Sequence, residues 1–289
     1  MKGLICAGGL STRLYPLSLV SSKALLPVYD RPMIYFALSC LMRCQIRDVA
    51  VIVPPVDRPK FENLLSDGSQ WGMHIEFIVQ EKATGIASCL TLAKPFLGED
   101  AVAMILADNF FCGETFSVKL RNAILNAEHG LATVFGKAVD DPRRFGVVSF
   151  DAAGKAVTLE EKPENPKSPY AVTGLYFYPA GAPDFVKELV PSARGELEIT
   201  DLNAIYMRQG RLQVELLEKD FTWMDLSTMQ SLLEGSNFVK ALIDSGFKLD
   251  APELVALRNG WIDTRDFEAF LARSAKSTYG TNLCESSGA

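Results

Sequence analysis

The chain has 289 residues, 48% hydrophobic and 22% charged, enough for one large core or two moderate ones. Its formal net charge of −6 excludes a global basic field that would draw in nucleic acid, so an anionic ligand must be gripped by a few local cations and backbone amides. The apolar opening stretch is interrupted by Gly8, Gly9 and Arg13, too soon for a signal sequence or a membrane span, and a cytoplasmic protein is expected.

In chain order, residues 4–7, 49–53, 75–79 and 102–106 are short, apolar and partly β-branched, which predicts buried strands. Helical periodicity occupies 33–44, 59–65, 85–97 and 116–127 between and after them. This alternation implies βαβ units and a mostly parallel sheet covered on both faces, with ligands at the carboxyl ends of the strands. Residues 8–13 follow the first strand and Asp108-Asn109 the fourth, so both fall on that edge.

The second half is richer in strands, at 131–138, 146–150, 156–159, 172–178 and 212–217, with helices around 183–189 and 199–209. Beyond Asp225 the pattern is helical over 229–245, 252–259 and 264–275, and the polar end, 277–289, is expected to be loosely held. No Gly/Ser/Pro-rich linker divides the chain, which predicts one continuous α/β unit with a C-terminal helical tail. In that tail Leu254, Leu257, Trp261, Phe267, Phe270 and Leu271 suit either a subunit interface or packing within the chain.

Six scattered cysteines include no C-x-x-C pair, and the two histidines, His74 and His129, lie far apart. A histidine-based zinc site or a histidine triad is therefore not expected, and any metal has to be held by carboxylates. The sharpest local signal is Gly8-Gly9-Leu10-Ser11-Thr12-Arg13. Its glycines let backbone N–H groups approach an anion, Thr12 adds a hydroxyl, and Arg13 can bind phosphate oxygens in pairs. It matches neither the dinucleotide-binding glycine motif nor the P-loop. Alone, it fits an ordinary strand-to-helix turn equally well. Lys23, ahead of Leu25-Leu26-Pro27, suits a phosphate-binding point charge or a solvated cation beside a buried run.

Joined in order, these segments resemble the bacterial sugar-nucleotide pyrophosphorylases, most of all the glucose-1-phosphate thymidylyltransferases. The likeness runs through Gly8–Pro16 and Ser22–Met33, the Asp67-Gly68-Ser69-Gln70-Trp71-Gly72 block, Asp108-Asn109, Phe145-Gly146, Glu160-Glu161-Lys162-Pro163, Tyr170–Tyr178, Arg194–Asp201 and Trp223-Met224-Asp225. It covers residues 1 to about 245, and the tail more loosely.

The resemblance implies a Rossmann-like fold of the nucleotide-diphospho-sugar transferase type. Residues 1–228 would form the transferase unit, with a nucleotide part to about 110 and a sugar part beyond it, and 229–289 a helical extension. It implies a Mg²⁺-dependent transfer of a nucleotidyl group from dTTP to glucose-1-phosphate, in deoxysugar synthesis, by a homotetramer with a second, regulatory nucleotide site. Arg13, Lys23 and Lys162 would be catalytic. Gly8, Gly9, Leu10, Ser11, Thr12, Gln80 and Gly85 would bind the nucleotide, with Gln80 on the base edge and Gly85 against the nucleoside. Gly146, Glu161, Val172, Tyr176 and Arg194 would hold the sugar phosphate, and Asp108 and Asp225 the metal.

Several positions depart from this pattern. Ser11 replaces a glycine, which is mild where the backbone does not need a positive φ; Ala24 and Ser88 replace glutamines, Ala107 a glycine and Cys112 a tyrosine. After the second aspartate, Leu226-Ser227-Thr228-Met229 stands for Thr-Gly-Thr-His, flanking a metal ligand whose displacement would lower the rate. A pyrophosphorylase using UTP or another sugar phosphate, and a weakly catalytic paralogue that binds nucleotide sugars, are the alternatives.

Overall fold

The computed structural model describes residues 1–9 and 11–287; Leu10, Gly288 and Ala289 lie outside the described residues. The chain opens with β1 (Lys2–Cys6), a small hairpin of β2 (Pro27–Val28) and β3 (Arg31–Pro32), and α1 (Ile34–Arg43). Helix α1 is apolar all round and is buried from Ile34 to Met42, a central packing element and not a surface helix. Then come β4 (Asp48–Val53), α2 (Arg58–Leu65) and β5 (His74–Val79). The helical stretch expected over 85–97 is broken: Gly85 has φ +101°, α3 (Ser88–Leu92) follows it, and Pro95 near the start of α4 (Lys94–Leu97) divides the rest.

Next are β6 (Val102–Leu106), β7 (Asn109–Cys112), α5 (Phe116–Glu128), β8 (Ala132–Ala138), β9 (Gly146–Phe150), β10 (Ala156–Glu161) and β11 (Tyr170–Tyr178). The expected 183–189 helix is one turn, α6 (Ala182–Phe185), continued as a tighter 3₁₀ turn, before α7 (Ile199–Arg208), β12 (Leu212–Leu217) and β13 (Thr222–Asp225). Among the described residues the sheet has nine strands. Strands β5, β4, β1 and β6 run parallel, whereas β11 joins β6 antiparallel and brings in β8, β9 and β10 the same way; β12 then lies parallel on β8. Alternate residues feed two cores on opposite faces, Ile5, Val51 and Ile105 on one, and Leu4, Ala50 and Met104 on the other.

Strand β11 positions the site. One of its edges takes β8 along most of its length. The other takes β9 at Ala171–Val172 and β6 from Leu175 to Tyr178, so these two strands part around Thr173 and Gly174.

Four helices close the chain: α8 (Met229–Asp244), α9 (Pro252–Arg258), α10 (Thr264–Ser274) and α11 (Thr278–Ser287). Capping boxes of Thr228 with Ser231 and Asp263 with Asp266 start α8 and α10. The segment from 277 onward is not loosely held over its described part. Tyr279 donates to Glu253, Asn282 Nδ2 donates to Asp30 Oδ2 at 2.8 Å, and Leu283 is buried.

The tail's apolar residues are used within the chain: Leu254 and Phe267 are buried in the main core, and Leu257, Trp261, Phe270 and Leu271 pack against it. Of the two uses expected for them, this is packing within the chain. The Asp67–Gly72 block is the dock, because a Cβ on Gly72 (φ +67°) would lie 2.6 Å from the Trp261 carbonyl oxygen. Among the described residues no helix is long and apolar enough to cross a membrane.

Candidate active site

The gap between β6 and β9 opens into a cavity of about 190 Å³ at the carboxyl end of β6. Of the residues singled out in the sequence, Arg13, Lys23, Asp108, Gly146, Glu161, Lys162, Val172, Tyr176 and Asp225 line it together. Arg194 is not in the lining but reaches Glu161 Oε1 at 3.3 Å and Glu198 Oε1 at 2.8 Å. The cavity also takes in Arg144, Glu198, Thr200 and Trp223, which sequence reasoning did not assign. Arg144 stands beside the matched Phe145-Gly146, and Glu198 and Thr200 lie inside a matched block, so adjacency was the available signal.

At its floor, Asp108 follows β6 and is almost wholly buried. Asn109 holds it: Asn109 Nδ2 donates to Asp108 Oδ1 at 3.0 Å, while its Oδ1 accepts from Gly174 N at 2.9 Å and Trp223 Nε1 at 2.7 Å. This amide fills the fork between β6 and β9, and a Cβ on Gly174 would lie 2.7 Å from it, so a side chain there is excluded. The Lys23 ammonium pairs with Asp108 Oδ2. Burial pushes the Asp108 carboxyl up, but the Lys23 charge and its hydrogen bond, with that of Asn109, carry it below the usual range.

Asp225 ends β13, opposite Asn109 in the antiparallel β13–β7 ladder, and Leu226 N donates to Asp108 O at 2.9 Å. Burial and then the Asp108 charge push the Asp225 carboxyl up, against the Ser227 hydrogen bond and the charges of Lys23 and Arg13. Two carboxylates facing each other among cations fit a hard divalent ion that takes its other ligands from phosphate and water. Among the described residues no cluster of three or more His, Cys, Asp or Glu offers a self-sufficient metal cage.

Leu226, expected to displace Asp225, is itself accommodated. It is buried, and Gly235 of α8 leaves room for it, since a Cβ there would lie 2.4 Å from Leu226 Cδ2.

The sugar-side wall is a network. Glu161 Oε2 accepts from Thr200 Oγ1 at 2.5 Å, Lys162 Nζ lies 3.1 Å from Glu161 Oε1, and a Cβ on Gly146 would come within 2.8 Å of Thr200 Oγ1. Lys162 has φ +43°, a left-handed backbone for a residue with a side chain, held by its N–H on Phe145 O at 3.0 Å. Tyr176 is buried and stacks on Tyr178 at 6.2 Å. Val172 and Gly146 face each other in the β11–β9 register.

Of the described nucleotide-side residues, Gly8, Gly9, Ser11, Thr12, Gln80 and Gly85 are outside this cavity's lining, whereas Arg13 on the same loop is part of it. Gln80 follows β5 and reaches across the end of β4 to Gly8; a Cβ on Gly8 would lie 2.2 Å from Gln80 Oε1. Gln80 Nε2 donates to Ser88 Oγ at 3.1 Å. Gly85 meets protein: its missing Cβ makes room for the Leu197 backbone, 2.4 Å from the Leu197 carbonyl oxygen. Gly9, Thr12 and Arg13 are exposed on the loop, whereas Leu10 lies outside the described residues. Ser11 has φ +52°, so the condition under which its replacement of glycine is mild does not hold.

The nucleotidyl transferase family profile matches residues 2–241. The chain belongs to the nucleotidyl transferase family. Over 284 residues this transferase is 46% identical to the glucose-1-phosphate thymidylyltransferase of Neisseria gonorrhoeae, with 98% of each chain covered. It is 44% identical to that of Mycolicibacterium smegmatis, over 99% of this chain and 98% of the relative. A solved structure from Bacillus anthracis assigned as a glucose-1-phosphate thymidylyltransferase, in complex with sucrose, is 40% identical, with a TM-score of 0.76 over 83% of this chain and 95% of its own. UDP-glucose pyrophosphorylase in complex with UDP-glucose shares the fold at 21% identity, with a TM-score of 0.73 over 83% of this chain and 98% of its own.

Proposed function

We propose that this transferase joins dTTP and glucose-1-phosphate to give dTDP-glucose and pyrophosphate, as a cytoplasmic enzyme of deoxysugar synthesis. The observation that carries the reading is the convergence of Asp108, Asp225, Lys23, Arg13 and Lys162 on one cavity at the carboxyl end of β6. In this reading residues 1–110 bind the nucleotide, 111–228 the sugar phosphate, and 229–289 form the extension. A sugar phosphate oxygen attacks the α-phosphorus, a new P–O bond forms, and the bond to the β-phosphate breaks as pyrophosphate leaves.

No protein nucleophile is needed; positioning and charge neutralisation supply the catalysis. Lys162 and Arg194 hold the sugar phosphate, with the Glu161 carboxylate accepting from sugar hydroxyls. Arg13 meets the departing pyrophosphate. Lys23, paired with Asp108 in the free chain, exchanges that partner for a phosphate oxygen. Asp108 and Asp225 would hold Mg²⁺, which would neutralise charge on the phosphates.

Gln80 offers a carbonyl acceptor and an amide donor to the imide edge of thymine or uracil, held by Ser88. That edge is the same in both bases, so preference for dTTP rests on packing around one methyl group, worth about 1–3 kcal/mol. Release of pyrophosphate measured across dTTP, UTP and the purine triphosphates, with several sugar phosphates, tests the reading. We expect kcat/KM to be highest for dTTP with glucose-1-phosphate, and UTP within about 200-fold. A purine triphosphate surpassing both would overturn it.

Assembly is part of the proposal. The exposed Met229 and Leu233 of α8 supply apolar surface for a homotetramer. The regulatory nucleotide site is assigned to a cavity of about 460 Å³ lined by Arg43, Lys248 and Arg258, two of them paired with Asp250, where the buried Ser39 hydroxyl has no hydrogen-bond partner among the described residues. Sedimentation showing a monomer at micromolar concentration would end the tetramer.

A further inference from the structure

Ser227 stands directly behind Asp225, outside the cavity lining, and is 3% exposed. Its Oγ donates to Asp225 Oδ2 at 2.7 Å. The same oxygen lies 3.6 Å from Arg144 Nη2, whereas Oδ1 accepts no hydrogen bond from a described residue.

The turn that makes this contact is fixed at both ends. Leu226 is tied to Asp108 through its backbone and buried through its side chain, so the chain folds back under Asp225 within two residues. The neighbouring hydroxyls are committed elsewhere, because Thr228 and Ser231 bond each other in the cap of α8. Leu226 and Met229, at the positions where the resemblance leads one to expect threonine and histidine, have no group to donate. Ser227 is thus the hydroxyl of this turn that reaches the carboxylate.

We infer that Ser227 is a positioning residue for divalent metal. It restrains the Asp225 carboxylate against the repulsion of Asp108, occupying Oδ2 and leaving Oδ1 without a hydrogen bond from a described residue, so that it would be available to a cation. An acceptor-only carboxylate at a strand end otherwise rotates away from a like charge, and the site has to be reassembled whenever metal binds. Ser227 is outside the cavity lining, so its contribution is to metal affinity and not to the affinity of either substrate. This inference rests on the reading of Asp225 as a metal ligand.

The test is titration of the full chain with Mn²⁺ alone, followed through the electron paramagnetic resonance signal of the free ion, for wild type, Ser227→Ala and Asp225→Asn. Thermal unfolding of each checks that the fold is kept. Ser227→Ala is expected to weaken Mn²⁺ binding by roughly tenfold with an unchanged Tm. In turnover, the Mg²⁺ concentration for half-maximal rate rises correspondingly, while KM for dTTP and glucose-1-phosphate at saturating Mg²⁺ stays within about twofold of wild type. Unaltered Mn²⁺ binding by Ser227→Ala, with binding lost in Asp225→Asn, would overturn the inference and leave the metal reading standing. Unaltered binding by Asp225→Asn would overturn the metal reading itself. A loss of Tm and a rise in both substrate KM values, with Mn²⁺ affinity retained, would make Ser227 a structural residue only.

Discussion

Asp225 sits opposite Asn109 in the β13–β7 ladder, and the Leu226 N–H donates to the Asp108 carbonyl, so backbone pairing brings the two carboxylates to one point. The side-chain bonds of Asn109, Lys23 and Ser227 orient the two carboxylates but do not bring them together, since each is repelled by the other. The ladder brings them together, and a divalent cation held by both would relieve the repulsion.

Removal of either charge is therefore expected to disable the reaction without dismantling the fold. Asp225→Asn is the cleaner change, because Asp108→Asn also strands the Lys23 ammonium. We expect Asp225→Asn to lower kcat/KM at least 100-fold with Tm within about 2 °C of wild type, by analogy with loss of a group that positions transition-state charge. EDTA should abolish activity and added Mg²⁺ restore it. Full turnover in EDTA would refute the metal role.

Ser11 holds a left-handed backbone that suits glycine. Ser11→Gly is expected to stabilise the folded chain by up to about 1 kcal/mol, less the entropy that glycine adds to the unfolded chain. That corresponds to roughly 2 °C in Tm for a chain of this size, and Ser11→Val should move it the other way. Scanning calorimetry of the three proteins decides it.

Arg13 and Lys162 lie on different walls of the cavity, and their losses should read out differently. Arg13→Ala is expected to lower kcat more than it weakens ground-state binding, because its partner charge develops on the leaving pyrophosphate. Lys162→Ala should raise KM for the sugar phosphate. Steady-state kinetics in both substrates distinguishes the two, and interchanged effects would mean that the substrates bind the other way round.

Glu253 in α9 is buried beneath the tail, and burial pushes its carboxyl above the ordinary value of 4.5 although Tyr279 donates to it. The folded chain thus favours the protonated acid more than the unfolded chain does. Its contribution to stability is complete below the unfolded value and is lost as pH rises through the raised folded value. Glu253→Gln keeps an acceptor for Tyr279 and cannot ionise. Its Tm should gain on wild type as pH increases from about 4 to about 8. A gap independent of pH would show that Glu253 titrates in the fold as it does in the unfolded chain.

The sequence by itself determined the alternation of strands and helices, the loop after β1, and the family to which they lead. Buried strands and amphipathic helices write their periods into the chain, and the β1 loop is contiguous. The short ladder of β7 and β13 was not legible, because a four-residue strand has too few residues to show a period and its partner lies far along the chain. That the missing side chain of Gly85 makes room for the Leu197 backbone was not legible either, because a glycine kept for packing and one kept for close approach to a nucleoside read alike in the sequence.

The polar end of the chain looked unanchored because Asn282 and Tyr279 read as solvent-facing until Asp30 and Glu253 are placed opposite them. Only the tertiary structure decided that Lys23 meets Asp108, that Asn109 plugs the fork between β6 and β9, and that Ser227 turns back onto Asp225. Those contacts depend on where β11 splits its pairing and on how tightly the 226–228 turn closes. Both are set by packing between distant segments and have no local periodicity to announce them.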